Sequence, residues 1–202
     1  RVLIHACCGP CLLEPCDVLS AHADVAVCYA NPNIAPAAEY ERRRDALLAY
    51  AADEGIEVVE VPYAPERWTA AVAGTEGDRA ARCRACYELR IGMVAAEAAS
   101  GAYDAVATTL AVSPYQDSAA IREAGEAACA AVGVRFIAAD FRDRYSDATR
   151  RSRELGMYRQ NYCGCLPSGA EAAAEREERR RARVAARAAA RSGTSRDCGG
   201  EA

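Results

Sequence analysis

The chain passes from an apolar strand into a helix within one short stretch, Val2-Leu3-Ile4-His5-Ala6-Cys7-Cys8-Gly9-Pro10-Cys11. Its first residues predict a buried strand, and Pro10 suits the first turn of a helix that we expect from Leu12 to about Ala21. Three thiols therefore lie where a strand gives way to a helix. In open α/β sheets, loops of this kind form the ligand-binding edge. The stretch predicts a site rather than a piece of core.

Strands and helices alternate along the rest of the chain. We predict strands at 25–29, 56–61, 105–110 and 135–139, and helices at 37–54, around Trp68, at 87–99, at 118–132 and from Ser146 onward. This order favours a Rossmann-like parallel α/β sheet with helices on both faces. The loops beginning at Cys7, Asn31, Thr108 and Asp140 each follow a predicted strand. We expect them to meet at the carboxyl edge of the sheet.

Length and charge indicate one main domain with an appendage. A chain of 202 residues that is 51% hydrophobic can bury a sizeable core. We predict an α/β metal-binding catalytic domain at residues 1–168, an Arg/Ala-rich helical extension at 169–191 and a disordered tail at 192–202. The whole chain carries a formal charge of -4, whereas residues 170–202 hold eight arginines against six acidic residues.

The sequence predicts a cytoplasmic protein without a membrane partner. No apolar run approaches the roughly 20 residues that cross a bilayer, and the start of the chain lacks a secretory signal pattern. In that compartment, closely spaced cysteines indicate metal binding or redox catalysis more often than disulfides.

Seven of the eleven cysteines fall into three groups, and the groups are Cys7-Cys8-Gly-Pro-Cys11, Cys83-Arg-Ala-Cys86 and Cys163-Gly-Cys165. Four thiolates suffice for an iron-sulfur cluster or a closed zinc site. One division gives Cys7, Cys8, Cys83 and Cys86 to one centre and leaves Cys11, Cys163 and Cys165 for a metal with an open position. A thioredoxin-type dithiol at Cys8 and Cys11, or a purely structural zinc site, remains an alternative.

Several separated motifs, taken in order, resemble the cobalamin-independent epoxyqueuosine reductase family (QueH). These motifs are His5-Ala-Cys-Cys-Gly-Pro-Cys11, Tyr29-Ala-Asn-Pro-Asn-Ile34, Glu39-Tyr40 with Arg43, Arg82-Cys-Arg-Ala-Cys-Tyr87 with Leu89-Arg90, Thr108-Thr109-Leu110 with Ser113-Pro114-Tyr115, Asp140-Phe-Arg142 and Tyr158-Arg-Gln-Asn-Tyr-Cys-Gly-Cys165. The resemblance runs from about residue 2 to residue 168. It implies a fold related to adenine-nucleotide α-hydrolases.

The resemblance also implies the reaction and its cofactors. The family reduces the epoxide of epoxyqueuosine in tRNA to queuosine with electrons from an external donor. It implies a 4Fe-4S cluster on Cys7, Cys8, Cys83 and Cys86, and an adjacent mononuclear metal ion, iron or zinc, on Cys11, Cys163 and Cys165. The third ligand of that ion can be a carboxylate in the family, whereas this chain has Cys11.

We predict catalytic and substrate-binding residues from the same loops. Candidate proton donors are His5, Asp140 and Tyr162. Groups that can stack on a base or hydrogen-bond its edges are Asn31, Asn33, Tyr115, Arg142, Tyr158, Arg159 and Gln160. A structural role for His5, Asn31 and Asn33 is the competing interpretation. The arginines from 176 to 191 are candidates for tRNA backbone contact, or form a solvated helix face.

Two other functions remain open at this point. One is an ATP-dependent tRNA-modifying enzyme on a related fold, although the loop after the first strand carries thiols and lacks a Ser-Gly-Gly-type pyrophosphate loop. The other is a zinc-stabilised tRNA-binding module without catalysis.

Overall fold

The computed structural model describes residues 1–75 and 77–194, with side chains described as far as residue 189. The strands are β1 (Val2–His5), β2 (Val25–Tyr29), β3 (Glu57–Glu60), β4 (Ala105–Thr108) and β5 (Arg135–Phe136). The α-helices are α1 (Gly9–Ser20), α2 (Ala37–Asp53), α3 (Pro65–Ala71), α4 (Arg79–Ser100), α5 (Ser118–Ala131), α6 (Tyr145–Glu154) and α7 (Leu166–Thr194). Short 3₁₀ turns span Thr109–Val112 and Arg142–Arg144.

The five strands form one parallel sheet in the order β3-β2-β1-β4-β5. β1 is central, and His5 at its end pairs in register with Cys28 of β2 and Thr108 of β4. From β1 the chain first builds outward to β3 and then returns to the other side through β4. The loops after β1 and β4 therefore diverge, which opens a crevice at the carboxyl edge of the sheet.

Helices cover both faces of the sheet, as predicted. Ile4 faces a core formed with α1, α2 and α6, whereas Leu3, one residue earlier, faces a core formed with α4 and α5. Both side chains are fully buried. A central parallel strand is apolar on both faces because helices cover it on both sides. The first strand is thus the structural axis of the fold, and its end delivers the cysteine loop.

The structure corrects the predicted start of α4. We expected the helix to begin near Tyr87, after the second cysteine pair, but it begins at Arg79. The reason is Asp78, whose carboxylate accepts hydrogen bonds from the backbone N–H groups of Ala80 and Ala81 and so caps the helix. Cys83 and Cys86 consequently lie on the second and third turns of a long helix and not in a loop.

The neighbouring strands β4 and β5 are both shorter than predicted. β4 ends at Thr108 because its hydroxyl accepts a hydrogen bond from Leu110 N and starts the 3₁₀ turn. Beyond Thr108, β5 therefore has no extended segment of β4 with which to pair. After Ile137 N donates to Val106 O, the next contact between these segments is from Phe141 N to Ala111 O. The predicted strand at 135–139 is therefore reduced to Arg135–Phe136.

Two compact units divide the chain, one at residues 1–159 and a second from Gln160 onward that contains α7. The helix α7 begins at Leu166 and continues through Thr194, so its backbone includes three residues of the tail predicted to be disordered. The remainder of that predicted tail, 195–202, lies outside the described residues. Among helices in the described ranges, none combines the length and apolarity needed to span a membrane.

Candidate metal centre

The thiols of Cys7, Cys8 and Cys11 converge at the end of β1, with their sulfur atoms all within 4.8 Å of one another. Cys8 is the residue before α1, and Cys11 lies in the first turn of that helix. Two backbone N–H groups of the loop donate hydrogen bonds, from Ala6 N to Cys28 O at 2.9 Å and from Cys7 N to Thr109 Oγ1 at 3.2 Å. A strand end and a helix start therefore bring three thiols to one point.

Gly9 allows this helix start to lie close to its neighbours. A Cβ atom at position 9 would stand 2.6 Å from Cε of Met157 and 3.2 Å from the carbonyl oxygen of Ala46 in α2. Backbone atoms of α2 cannot yield as a side chain end can. The small residue between the thiols is thus required by packing against α2.

The three thiols do not share protons equally. Hydrogen bonds from Cys11 and Cys8 hold the pKa of Cys7 well below its ordinary value, aided by the positive charge of Arg90 and by the Thr109 hydroxyl 3.5 Å from Cys7 Sγ. Hydrogen bonding to Cys7 and Cys8, together with burial, raises the pKa of Cys11. Cys7 is therefore the thiolate that a metal ion would meet first.

Cys8 keeps its proton in the absence of metal. A hydrogen bond with Cys11 favours its thiolate, but the hydrogen bond with Cys7 and burial outweigh this and raise the pKa of Cys8 to about 12. Binding of a metal to all three thiols would release those protons, since only thiolates ligate. The donor set of soft sulfur atoms suits iron-sulfur clusters and zinc.

The second cysteine pair approaches the same end of the sheet. Cys83 on α4 and Cys7 both pack against one buried apolar cluster that includes Tyr87, Ile91 and Leu110. Cys83, Cys86 and Arg90 are spaced i, i+3 and i+7, so they share one face of α4. The predicted four-thiolate set stays a prediction, with its two segments now placed against a common core.

Arg90 links α4 to the cysteine loop. Its side chain is 1% exposed, and its Nη2 donates to Asn31 Oδ1 at 2.6 Å. Asn31 Nδ2 in turn donates to the carbonyl oxygen of Ala6 at 2.8 Å, immediately before Cys7. Asn31, predicted to bind substrate, thus performs the competing structural task of joining the loop after β2 to the loop after β1.

A second buried arginine lies on the opposite face of the sheet. Arg43 of α2 is 1% exposed, and its Nε donates to Glu39 Oε1 at 2.7 Å. Burial opposes its charge, but Glu39 and the sulfur atoms of Cys8 and Cys7 raise the pKa of Arg43. Tyr158 OH donates to the other oxygen of Glu39 at 2.6 Å. Tyr158, predicted to contact substrate, is therefore part of a buried network.

His5 is fully buried beneath the loop. Its Nδ1 lies 2.8 Å from Thr108 Oγ1, and its Nε2 has no partner in good hydrogen-bonding geometry among the described residues. Burial and then the nearby charge of Arg90 lower the pKa of His5 to about 3. The imidazole is accordingly neutral, and its predicted role as a proton donor stays a prediction.

Asp140 lies in a cleft beside the ends of β4 and β5. The cleft is lined by Thr108, Ala111, Ser118, Ile121, Arg122, Phe136, Ala138, Ala139 and Asp140. Arg142 Nε donates to Asp140 Oδ1 at 2.8 Å, and this hydrogen bond, with one from Arg142 N, lowers the pKa of Asp140. Because Thr108 also contacts His5, the cleft adjoins the cysteine loop.

Two further predicted substrate residues differ sharply in exposure. Asn33 is buried, and neither its Oδ1 nor its Nδ2 has a hydrogen-bond partner among the described residues. A buried side-chain amide left in this state is costly unless a ligand satisfies it. Tyr115, in contrast, is 73% exposed, with its ring 6.1 Å from that of Tyr145. Tyr115 is thus available for stacking.

The third cysteine group belongs to the second unit and directly precedes α7. Ser168 ties it to the helix start, donating from Oγ to Cys165 O at 2.8 Å and from N to Cys165 Sγ at 3.4 Å. Gly164 has a φ of 140°, a conformation that favours glycine between the two cysteines. Gln160 and Tyr162 lie in this unit, whereas Arg159 ends the first. The set formed with Cys11 stays a prediction.

Sequence reasoning did not select the buried arginines as site residues. Arg90 carried a usable signal, since it follows Cys86 by four residues and Cys83 by seven within a helix. Arg43 belonged to one of the motifs of the resemblance but carried no signal of burial, because an arginine on an amphipathic helix is usually exposed. Thr109, which contacts both N and Sγ of Cys7, was also missed as a site residue.

The fold and the site define a class: a parallel α/β protein with a cluster of three thiols, able to ligate a metal, at the carboxyl edge of its sheet. The sequence model described as "Epoxyqueuosine reductase QueH" matches residues 2–171. Proteins of that name are 34% identical in Dehalococcoides mccartyi, over 85% of this chain and 93% of the relative, and 35% identical in Thermotoga maritima, over 88% and 94%. A Staphylococcus aureus relative is 29% identical over 82% and 74%. The chain belongs to the QueH family.

Proposed function

We propose that this chain is an epoxyqueuosine reductase that removes the epoxide oxygen from epoxyqueuosine in tRNA and leaves queuosine. The observation that carries the proposal is the convergence of three thiols within 4.8 Å at the carboxyl edge of the central strand. Family membership supplies the reaction, and the thiols supply a place for the redox cofactor that it needs. Opening an epoxide to an alkene and water consumes two electrons and two protons.

The donor set fits an iron-sulfur centre. Cys7, Cys8, Cys83 and Cys86 would hold a 4Fe-4S cluster, and Cys11, Cys163 and Cys165 would hold an adjacent iron or zinc ion. When bound, an iron-sulfur cluster supplies electrons one at a time, replenished by an external donor. The low pKa of Cys7 supports this assignment, because a preformed thiolate lowers the cost of binding the first metal.

The buried arginines stabilise the negative charge that thiolates bring into the protein. Arg90 is hydrogen-bonded through Asn31 to the loop, and Arg43 is held in place by Glu39 on the other face of the sheet. A charge buried without compensation costs several kcal/mol, as an order of magnitude. The two guanidinium groups offset that cost and keep water out of the space they fill.

Protons would come from groups beside the cysteine loop. We assign this role to His5, Asp140 or Tyr162. Asp140 is an ionised carboxylate in the resting protein, because Arg142 lowers its pKa, so it would accept a proton from water before delivering one. Thr108, between His5 and the cleft that contains Asp140, connects the two candidates on the first unit.

Substrate recognition is assigned to the remaining polar and aromatic groups of the rim. Asn33 would read the edge of the base with its buried amide, since both of its polar atoms are unsatisfied in the described structure. Tyr115 offers an exposed ring for stacking. The other candidates are Asn31, Arg142, Tyr158, Arg159 and Gln160.

The proposal is tested by turnover in the absence of oxygen. The protein, reconstituted with iron and sulfide, is incubated with a reductant and tRNA that contains epoxyqueuosine, and the nucleosides are analysed by mass spectrometry. We expect the modified nucleoside to lose the mass of one oxygen atom. Omission of reductant and boiled protein are the controls. A fully iron-loaded protein that leaves the nucleoside unchanged with several reductants would contradict the proposal.

A further inference from the structure

The helix α7 carries a concentration of positive charge that the proposed reaction does not use. From residue 179 to residue 191 the sequence contains six arginines and no acidic residue. Side chains along the described part of this segment are exposed. The family match ends at residue 171, so the segment lies beyond the matched region.

Four of the arginines lie in a row, which we call the arginine stripe and which consists of Arg176, Arg180, Arg183 and Arg187. Their spacings of four, three and four residues return to the same side of a helix, within an arc of about 60°. With a rise of about 1.5 Å per residue, the stripe is about 16 Å long. By the same geometry Arg181 lies about 100° from the nearest member of the stripe, and Arg179 lies about 40° beyond its edge.

Helix stability does not explain the stripe. Glu175 pairs with Arg179, and Glu177 pairs with Arg180 and Arg181. For Arg176, Arg183 and Arg187, no ion pair is present among the described residues. The helix dipole stabilises cations only in the last turn, whereas α7 continues to Thr194. The pairs that stabilise the helix thus involve mainly the arginines outside the stripe.

The row of guanidinium groups on α7 suits a polyanion whose negative charges are spaced along a chain. A membrane-binding helix needs a broad apolar face, but the large exposed apolar side chains on the described part of α7 are Leu166 and Val184. An RNA backbone requires no such face, and guanidinium groups bind phosphate oxygens through two hydrogen bonds. Of the two macromolecular partners, RNA is favoured.

We propose that the arginine stripe of α7 binds backbone phosphates of the tRNA that carries the substrate base. This inference rests on the proposed function for the identity of the RNA. The stripe contributes affinity that does not depend on nucleotide sequence, because phosphates are the same at every position. The cysteine rim reads the modified base, and the stripe holds the molecule that presents it.

The test compares two double variants of the full-length protein. Arg183→Gln with Arg187→Gln removes two charges from the stripe, and Arg179→Gln with Arg181→Gln removes two charges from the same helix outside it. Binding of tRNA is measured by fluorescence anisotropy over a series of salt concentrations. Each phosphate contact contributes about 0.7 to 0.9 to the slope of log affinity against log salt. The stripe variant should therefore lose about 1.4 to 1.8 from the slope, and the matched variant less than half of that.

Each outcome has a defined meaning. Circular dichroism must show equal helix content in the two variants, and Arg176→Gln with Arg183→Gln repeats the test at another part of the stripe. Equal salt slopes of tRNA binding in the wild type and all variants would overturn the inference. Binding of the wild type to vesicles of anionic lipid, with no difference in tRNA slope among the proteins, would also overturn it. If turnover of epoxyqueuosine fails but the slope difference persists, the proposed function is wrong and RNA binding by the stripe stands. If the protein turns over epoxyqueuosine but the slopes are equal in all variants, the proposal for the arginine stripe is wrong and the proposed function stands.

Discussion

Two groups of arginines in this protein have opposite surroundings. Arg43 and Arg90 are each 1% exposed and lie against the sheet near the cysteine loop. The arginines of α7, such as Arg183, are exposed to solvent along a helix of 29 residues. The comparison teaches that the same side chain serves two purposes. A buried guanidinium stabilises internal negative charge, whereas an exposed one remains free to meet an external polyanion.

The buried arginines would stabilise the negative charge of the cysteine thiolates. Removing one of these thiols should therefore have the largest effect on turnover. We expect Cys7→Ser to lower turnover by more than about 100-fold, because even changes next to a metal ligand cost about 10- to 100-fold. Iron content and nucleoside mass analysis are the measurements. Cys129→Ala, a buried thiol of α5 outside the three groups, is the control and should retain iron. Equal losses in both variants would show a general folding defect.

Arg90 should affect metal binding through its buried positive charge. Arg90→Gln keeps an N–H donor for Asn31 but removes the positive charge, and it should reduce metal affinity by about 10-fold, at the low end of the range for residues behind the ligands. Competition with a chelator measures this affinity. Arg84→Gln, on the same helix next to Cys83 but exposed and paired with Glu123, should behave as wild type. If the two variants cannot be distinguished, burial of the charge is irrelevant to the centre.

Stability should separate the two environments as well. Glu39→Ala removes the carboxylate that pairs with buried Arg43, and we expect a loss of about 3 kcal/mol in the free energy of unfolding, since breaking a buried pair leaves a charge behind. Glu177→Ala breaks the two exposed pairs with Arg180 and Arg181 of α7 and should leave the urea midpoint of the protein unchanged. Similar midpoint shifts in both variants would remove the distinction between the two groups.

The smallest expected effect concerns the edge of the buried network. Tyr158→Phe deletes the hydroxyl that donates to Glu39 and should cost about 1 kcal/mol of stability, the usual value of one hydrogen bond. Urea denaturation at constant pH measures it. Because Tyr158 was predicted to contact substrate, the KM for tRNA is measured with the same protein. A raised KM with unchanged stability would favour substrate contact over the structural role.

Most of the fold could be predicted from alternation alone. The central strand and the strand at Val25–Tyr29 agree with the sequence pattern, because apolar runs bounded by turn residues are local signals. The helix after the first strand forms as predicted, but it begins at Gly9, three residues before the expected start. The start of α4 was missed because the cysteine pair was expected to lie in a loop. Asp78 instead caps the helix before that pair. The short β5 depends on the early end of β4, which is a tertiary effect.

The sequence predicted the thiols of the site but not the buried charges that lie near them. Three cysteines in five residues identify the loop directly. The burial of Arg43 and the hydrogen-bonded path from Arg90 through Asn31 to Ala6 depend on packing between distant segments, which spacing does not reveal. Asn31 illustrates the consequence. Its amide, predicted to bind substrate, already makes two hydrogen bonds within the protein, and its contact with substrate stays a prediction.

The central claim is that the thiols at the end of β1 hold an iron-sulfur centre, and visible absorption after anaerobic reconstitution with iron and sulfide tests it most directly. The account predicts a brown protein with sulfur-to-iron charge-transfer absorption, lost in Cys7→Ser and retained in Cys129→Ala. A folded, colourless wild type that contains zinc as its metal would contradict the account.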